Sequence, residues 1–175
     1  MSDNYLNKRK NVRLKGYNYA SYGSYFVTIC CHNKQCLFGR IPKEKDPGKR
    51  PQVILNDAGN MIGKWFKLIE NKFKNIICDS YITMPNHIHF VIFNHNENPD
   101  TTHTSLENIV GWFKTMTTNE YISSVKNNNW PAFNKHLWQR SFFEHIIRND
   151  EELFQIREYI LNNPIKWSSD KLYVP

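Results

Sequence analysis

The chain of 175 residues has no apolar run long enough to cross a bilayer, and its N-terminal stretch holds no apolar signal-peptide core. A soluble, unprocessed, cytoplasmic protein is expected. Cysteine is sparse and badly spaced for structure. Cys30 and Cys31 are adjacent, Cys36 and Cys78 stand apart, and no C-x-x-C pair occurs, which argues against a disulfide framework or a zinc ribbon. There is no G-x-x-x-x-G-K-[ST] loop, so Walker-type nucleotide binding is not expected. Acidic residues are the scarcer sign: 16 Asp and Glu against 23 Lys and Arg give a net charge of +7. That excess favours a polyanionic partner such as nucleic acid.

What is abundant is aromatic. Five Trp, nine Tyr and eleven Phe can build a core and can also offer stacking faces to unpaired bases. The length suits one domain over residues 1–175, opening with a basic arm, 1–16, in which Lys8, Arg9, Lys10, Arg13 and Lys15 are candidate phosphate contacts. Residues 24–31 read as a first strand from their β-branched and aromatic content. Residues 39–52 are polar and broken by Pro and Gly, a long loop. Asn56 or Asp57 then caps a helix in which Met61, Ile62, Trp65, Phe66 and Ile69 recur at helical spacing, ending near Asn71.

Residues 76–83 and 87–93 read as a hairpin broken at Pro85 and Asn86. After a turn-rich loop, where His95 and His103 are expected to face solvent, Ser105 caps a helix carrying Leu106, Ile109, Trp112, Phe113 and Met116. A strand follows within 137–147, where Glu144 and His145 are candidate site residues for which a structural ion pair is the expected role. Asn149 and Glu152 then open a last helix with Leu153, Ile156, Ile160 and Leu161 on one apolar arc. The order βαββαβ plus a terminal helix predicts an α+β, ferredoxin-like sandwich: an antiparallel sheet with helices on one face, and a C-terminal helix beyond it.

Chemistry concentrates at the hairpin. In MPNHIHFVIF, strand alternation projects His87 and His89 to one face and Ile88, Phe90 and Ile92 to the other. Residues two apart on a strand are about 6 to 7 Å apart at the backbone, so the two imidazoles can share one cation. On the last helix, Tyr159 and Asn163 are four apart and share a face if helical geometry persists to Pro164.

The stretches NVRLKGYNY, YFVTICC, MPNHIHFVIF, LWQRSFFEHIIRND and REYILNNPIKW occur in that order and are spread over most of the chain, from Asn11 to Trp167. Together they resemble the single-tyrosine HUH transposases, most closely the REP-associated tyrosine transposases of bacteria. The resemblance implies His87 and His89 as metal ligands, Asn163 as the polar residue that helps hold the metal, and Tyr159 as the catalytic nucleophile. It also implies a divalent metal, Mg²⁺ or Mn²⁺, single-stranded or hairpin DNA as partner, a nucleoid association through that DNA, and either a monomer or a homodimer. Arg140, within the fourth stretch, is a further candidate DNA contact. The expected function is metal-dependent single-strand endonuclease and strand transferase through a 5′-phosphotyrosine link. Another HUH endonuclease, of replication-initiator or relaxase type, and a non-catalytic hairpin-binding protein are the alternatives. Initiators often carry a second tyrosine on the catalytic helix, and Tyr159 is alone there.

Overall fold

The computed structural model describes residues 23–42, 50–95 and 105–174. Strand β1 (Gly23–Cys30) is followed by two short paired strands, β2 (Gly39–Arg40) and β3 (Ile54–Leu55). Helices α1 (Asp57–Lys67) and α2 (Ile69–Lys72) lead to β4 (Ile76–Met84) and β5 (His87–Asn94). Then come α3 (Leu106–Asn127), β6 (Phe143–Ile147), α4 (Asp150–Asn162) and a closing 3-10 helix, Asn163–Ser169. The main sheet is antiparallel with order β4-β5-β1-β6, which is the ferredoxin-like arrangement expected.

Strand alternation splits the sheet into two faces. Tyr25, Val27 and Ile29 of β1 join Ile88, Phe90 and Ile92 of β5 in the main core, against Met61, Ile62 and Phe66 of α1 and Ile109, Val110 and Phe113 of α3. Burying each such side chain contributes about 1.5–3 kcal/mol. The opposite face carries Phe26 and Val91, on which α4 docks with Ile160, Leu153 and Ile156, beside Ile147 of β6. Helices α1 and α3 thus share one face, and α4 packs on the other, to which His87 and His89 project.

Capping accounts for the helix starts. The Asn56 side chain accepts from Gly59 N at 2.9 Å, Ser105 Oγ from Asn108 N at 3.3 Å, and Asn149 Oδ1 from Glu152 N at 2.8 Å. The Glu152 carboxylate reaches back to Arg148 N at 2.7 Å instead of the cap's own N–H. Residues 39–52 are not wholly irregular: Gly39 and Arg40 pair with Leu55 and Ile54. Gly39 has φ +141, and a Cβ there would collide with the Ile54 carbonyl, so glycine is required at that crossing.

Several expectations need correction. Leu161 is 66% exposed and lies off the buried arc of α4; from Ile160 it is rotated by about 100° around the helix. The last strand does lie within 137–147, from Phe143 to Ile147, while Trp138 makes an isolated bridge to Cys31. Glu144 and His145 are not an ion pair, because neighbours on a strand face opposite ways; His145 Nε2 meets Glu152 Oε1 at 2.6 Å. His95 is exposed as expected. The basic arm with Lys8, Arg9, Lys10, Arg13 and Lys15, and His103, lie outside the described residues.

Candidate metal and nucleophile site

β5 pairs with β1 on one side and β4 on the other, so the head of β5 is enclosed. His87 is 0% and His89 3% exposed. Their Nε2 atoms are 3.0 Å apart, and the rings meet edge to face with centroids at 4.5 Å. Each ring is held from behind. His87 Nδ1 lies 2.8 Å from Asn86 Oδ1, and His89 Nδ1 lies 2.7 Å from Thr28 Oγ1.

The hydrogen-bond chemistry fixes one tautomer. Asn86 Nδ2 donates to the Lys34 and Leu172 carbonyls at 3.2 and 2.8 Å, which leaves its Oδ1 as the acceptor facing His87. His87 therefore donates from Nδ1 and turns a lone pair outward at Nε2. The Thr28 hydroxyl can accept from His89 Nδ1–H, which would present a second lone pair at the same point. Two such lone pairs repel unless a cation lies between them. Burial, followed by the neighbouring His89, holds His87 well below the ordinary imidazole pKa. Burial lowers His89 to about 3. Both rings are neutral at physiological pH, the state a metal ligand needs.

A carboxylate completes the cluster. One donor atom from each of His87, His89 and Asp170 lies within 4.8 Å of the others, the one such convergence among the described residues. Asp170 follows the closing 3-10 helix, whose Trp167 ring lies 5.9 Å from His87. Two imidazoles and a carboxylate form a mixed nitrogen and oxygen set suited to Mn²⁺ and acceptable to Mg²⁺.

Tyr159 and Asn163 come from α4. Helical geometry persists through Asn163, with φ −57 and ψ −41, so the two residues share a face. The Tyr159 ring stands edge-on to Phe26 at 5.9 Å and lies 5.3 Å from His89, and the residue is 39% exposed. Burial and then the Asp170 charge raise the phenol above its ordinary pKa. Asn163 is fully buried, and neither its Nδ2 nor its Oδ1 has a formed hydrogen bond. Leaving such a group unpaired costs about 1–3 kcal/mol, which an additional ligand at this site would recover.

The helix is also clamped to β4. Arg157 donates through Nε to Asp79 Oδ2 at 2.9 Å and through Nη2 to Asp79 Oδ1. Asp79 sits where β4 carries one extra residue, between Cys78 and Tyr81. Arg140 is exposed on the segment before β6 and takes no part in the histidine cluster. Sequence reasoning missed Thr28, Asn86 and Asp170. Asn86 adjoins His87 in the motif and was visible as its neighbour; Thr28 depends on strand register, and Asp170 on the path of the chain after α4.

Residues 47–163 match the model of the family described as "Transposase IS200 like", a span that contains His87, His89, Tyr159 and Asn163 but ends before Asp170. An uncharacterized protein of Haemophilus influenzae (strain ATCC 51907 / DSM 11121 / KW20 / Rd) is 36% identical over 178 residues, covering 97% of this chain and 95% of that one. Among solved structures, a REP-associated tyrosine transposase bound to a REP hairpin superposes with a TM-score of 0.57 at 18% identity, over 88% of this chain and 73% of that one. This likeness shows the shared fold. A Deinococcus radiodurans protein described as a putative transposase gives a TM-score of 0.47 at 14% identity, over 86% of this chain and 97% of that one.

Proposed function

Because the chain belongs to the IS200-like transposase family, we propose that it cuts and rejoins single-stranded DNA at hairpins, with Tyr159 as nucleophile and a divalent cation held by His87, His89 and Asp170. The observation that carries this reading is the convergence of two neutral imidazole Nε2 atoms with the Tyr159 ring packed against one of them. Asn163, with its buried unpaired amide, is the fourth candidate ligand. The solved relative was bound to a REP hairpin, which supports DNA of that form as the partner here.

Each residue has a defined task. Asn86 and Thr28 lock the imidazoles so that Nε2 faces the site. Phe26 and His89 fix the Tyr159 ring, leaving its exposed part for a DNA strand. When bound, the cation supplies positive charge that favours phenolate and offsets charge on the scissile phosphate. Tyr159 Oη then forms a bond to phosphorus as the bond from phosphorus to the sugar 3′-oxygen breaks. The phenol proton passes to solvent, and the departing 3′-oxygen takes one up. The downstream strand stays on the protein through its 5′-phosphate. Attack by a DNA 3′-hydroxyl reverses the step and restores the tyrosine, so no nucleotide cofactor is consumed.

The polarity tests the reading. A hairpin DNA with single-stranded flanks, labelled at its 3′ end, yields a denaturation-resistant protein–DNA band with Mn²⁺ or Mg²⁺, and the same DNA labelled at its 5′ end does not. A band from the 5′ label would reverse the assignment, and a band of equal strength in EDTA would remove the metal.

A further inference from the structure

A second site lies at the same end of the sheet, on the other side of β1. A cleft of about 450 Å³ opens between α3 and the segment preceding β6. Thr115, Thr118 and Asn119 line one wall, and Lys135, His136 and Arg140 the other, with no Asp or Glu among the described residues that line it. We propose that this cleft takes the phosphate backbone of a base-paired DNA stem, whose unpaired continuation then reaches Tyr159. The proposal rests on the hairpin reading above and says where the hairpin sits.

The cleft is built, not incidental. Lys114 Nζ donates to the carbonyls of Gln139, Arg140 and Ser141 at 3.0, 3.3 and 3.2 Å. An ammonium has three hydrogens, so Lys114 is committed to the turn; it is a positioning residue that presents Arg140 outward. Trp138 Nε1 donates to Thr117 Oγ1 at 2.9 Å, pinning the segment to α3. Lys135 takes φ +61, a left-handed conformation that L residues seldom adopt, beside the exposed His136.

Backbone contacts connect this cleft to the metal site. Gln139 N donates to the Cys30 carbonyl at 2.9 Å, and His32 N to the Leu137 carbonyl at 2.9 Å. Cys30 is the register partner of His87. A stem seated between Lys135 and Arg140 thus ends beside the strand that carries the histidines.

The two faces also divide the chemistry of the ligand. Around Tyr159, Phe143 and Phe154 are 46% and 64% exposed, offering rings to unpaired bases. Of the cleft's large rings, Trp138 is buried in the core and Phe133 is partly buried against it. Lys135, Arg140 and side-chain hydroxyl and amide groups, set around the exposed aliphatic Ile122 with no exposed Phe, Tyr or Trp ring among the described lining residues, suit a duplex, whose base faces are already stacked and whose phosphates line the outside.

The test compares two probes by fluorescence anisotropy across a salt series: a palindromic hairpin of arbitrary sequence with an oligo-dT tail, and the oligo-dT alone. The doubly substituted Lys135→Asn/Arg140→Ala protein is used because asparagine tolerates the left-handed backbone at 135. For the hairpin, the slope of log affinity against log salt should fall by about two, near 0.9 for each lost phosphate contact; for oligo-dT it should stay unchanged. Arg140→Lys should keep the wild-type slope. An unchanged hairpin slope in the double variant, or an equal fall for oligo-dT, overturns the proposal. Binding is read without cleavage, so a wild-type protein that forms no adduct would sink the strand-transfer reading while this comparison still decides the stem site.

Discussion

Asn86 Oδ1 accepts from His87 Nδ1 at 2.8 Å while the same amide donates to the Leu172 carbonyl at 2.8 Å, so one turn residue sets the imidazole tautomer and ties the C-terminal segment to the site. That segment carries Asp170, whose own carboxylate accepts from Leu172 N at 2.6 Å. The proposed metal ligands are thus held from behind by groups outside the donor set, and those groups make the first test.

Thr28→Val keeps the shape of the β1 side chain and removes the hydroxyl that orients His89. Mn²⁺ affinity should fall by about 10- to 100-fold with the folded structure retained, and high Mn²⁺ should restore adduct formation. Isothermal titration with Mn²⁺ beside circular dichroism measures both. Unchanged affinity would mean that Thr28 does not orient a ligand.

Asp170→Asn should weaken Mn²⁺ binding and, in the metal-free protein, lower the Tyr159 phenol pKa, because the Asp170 charge is one of the causes that raise it. NMR titration of ring-labelled tyrosine, with Tyr159→Phe to assign the signal, reads the second effect. A phenol that titrates identically in wild type and variant would put Asp170 too far away to act.

Acid should destabilise the metal-free protein through the histidine pair. Both imidazoles are held below their ordinary pKa of 6.5 in the folded state, His89 at about 3. The unfolded chain therefore binds protons first. Stability conferred by the neutral rings is complete above pH 6.5 and is lost as pH falls through the range toward 3, by at most about 1.4 kcal/mol per pH unit for each histidine. Urea midpoints from pH 7 to 5 should fall more steeply for wild type than for His87→Gln/His89→Gln. Parallel profiles would contradict the burial argument.

Arg157→Ala removes the two-pronged grip of α4 on Asp79. Its side chain is 46% exposed, so the stability loss should stay below about 1 kcal/mol. Adduct formation should slow by about 10- to 100-fold, since Tyr159 lies two residues on and small displacements at a reacting centre are costly. Equal fractional losses of stability and rate would reduce Arg157 to an ordinary surface pair.

The ferredoxin-like order and the His87–His89 face were readable because a strand period of two and a helix period of 3.6 are local properties. Asn56, Ser105 and Asn149 as caps were readable for the same reason. Leu161 was misplaced because a loose apolar arc tolerates one residue too many, and Phe143 as the strand start was hidden within a longer β-prone stretch. Glu144 and His145 looked like partners only in one dimension; Glu152, one element away, takes the histidine. Thr28 and Asp170 depend on strand register and on the turn after α4, which are tertiary facts.

The central claim is that Tyr159 becomes covalently joined to DNA. Wild-type protein is incubated with Mn²⁺ and a hairpin DNA with single-stranded flanks, denatured, digested with nuclease and protease, and read by tandem mass spectrometry. The account predicts a 5′-phosphonucleotide on the peptide containing Tyr159, and no adduct from Tyr159→Phe protein that still binds the hairpin. A phosphonucleotide on another residue, or an adduct of equal yield from the phenylalanine variant, would contradict it and leave Tyr159 as a packing residue against Phe26 and His89.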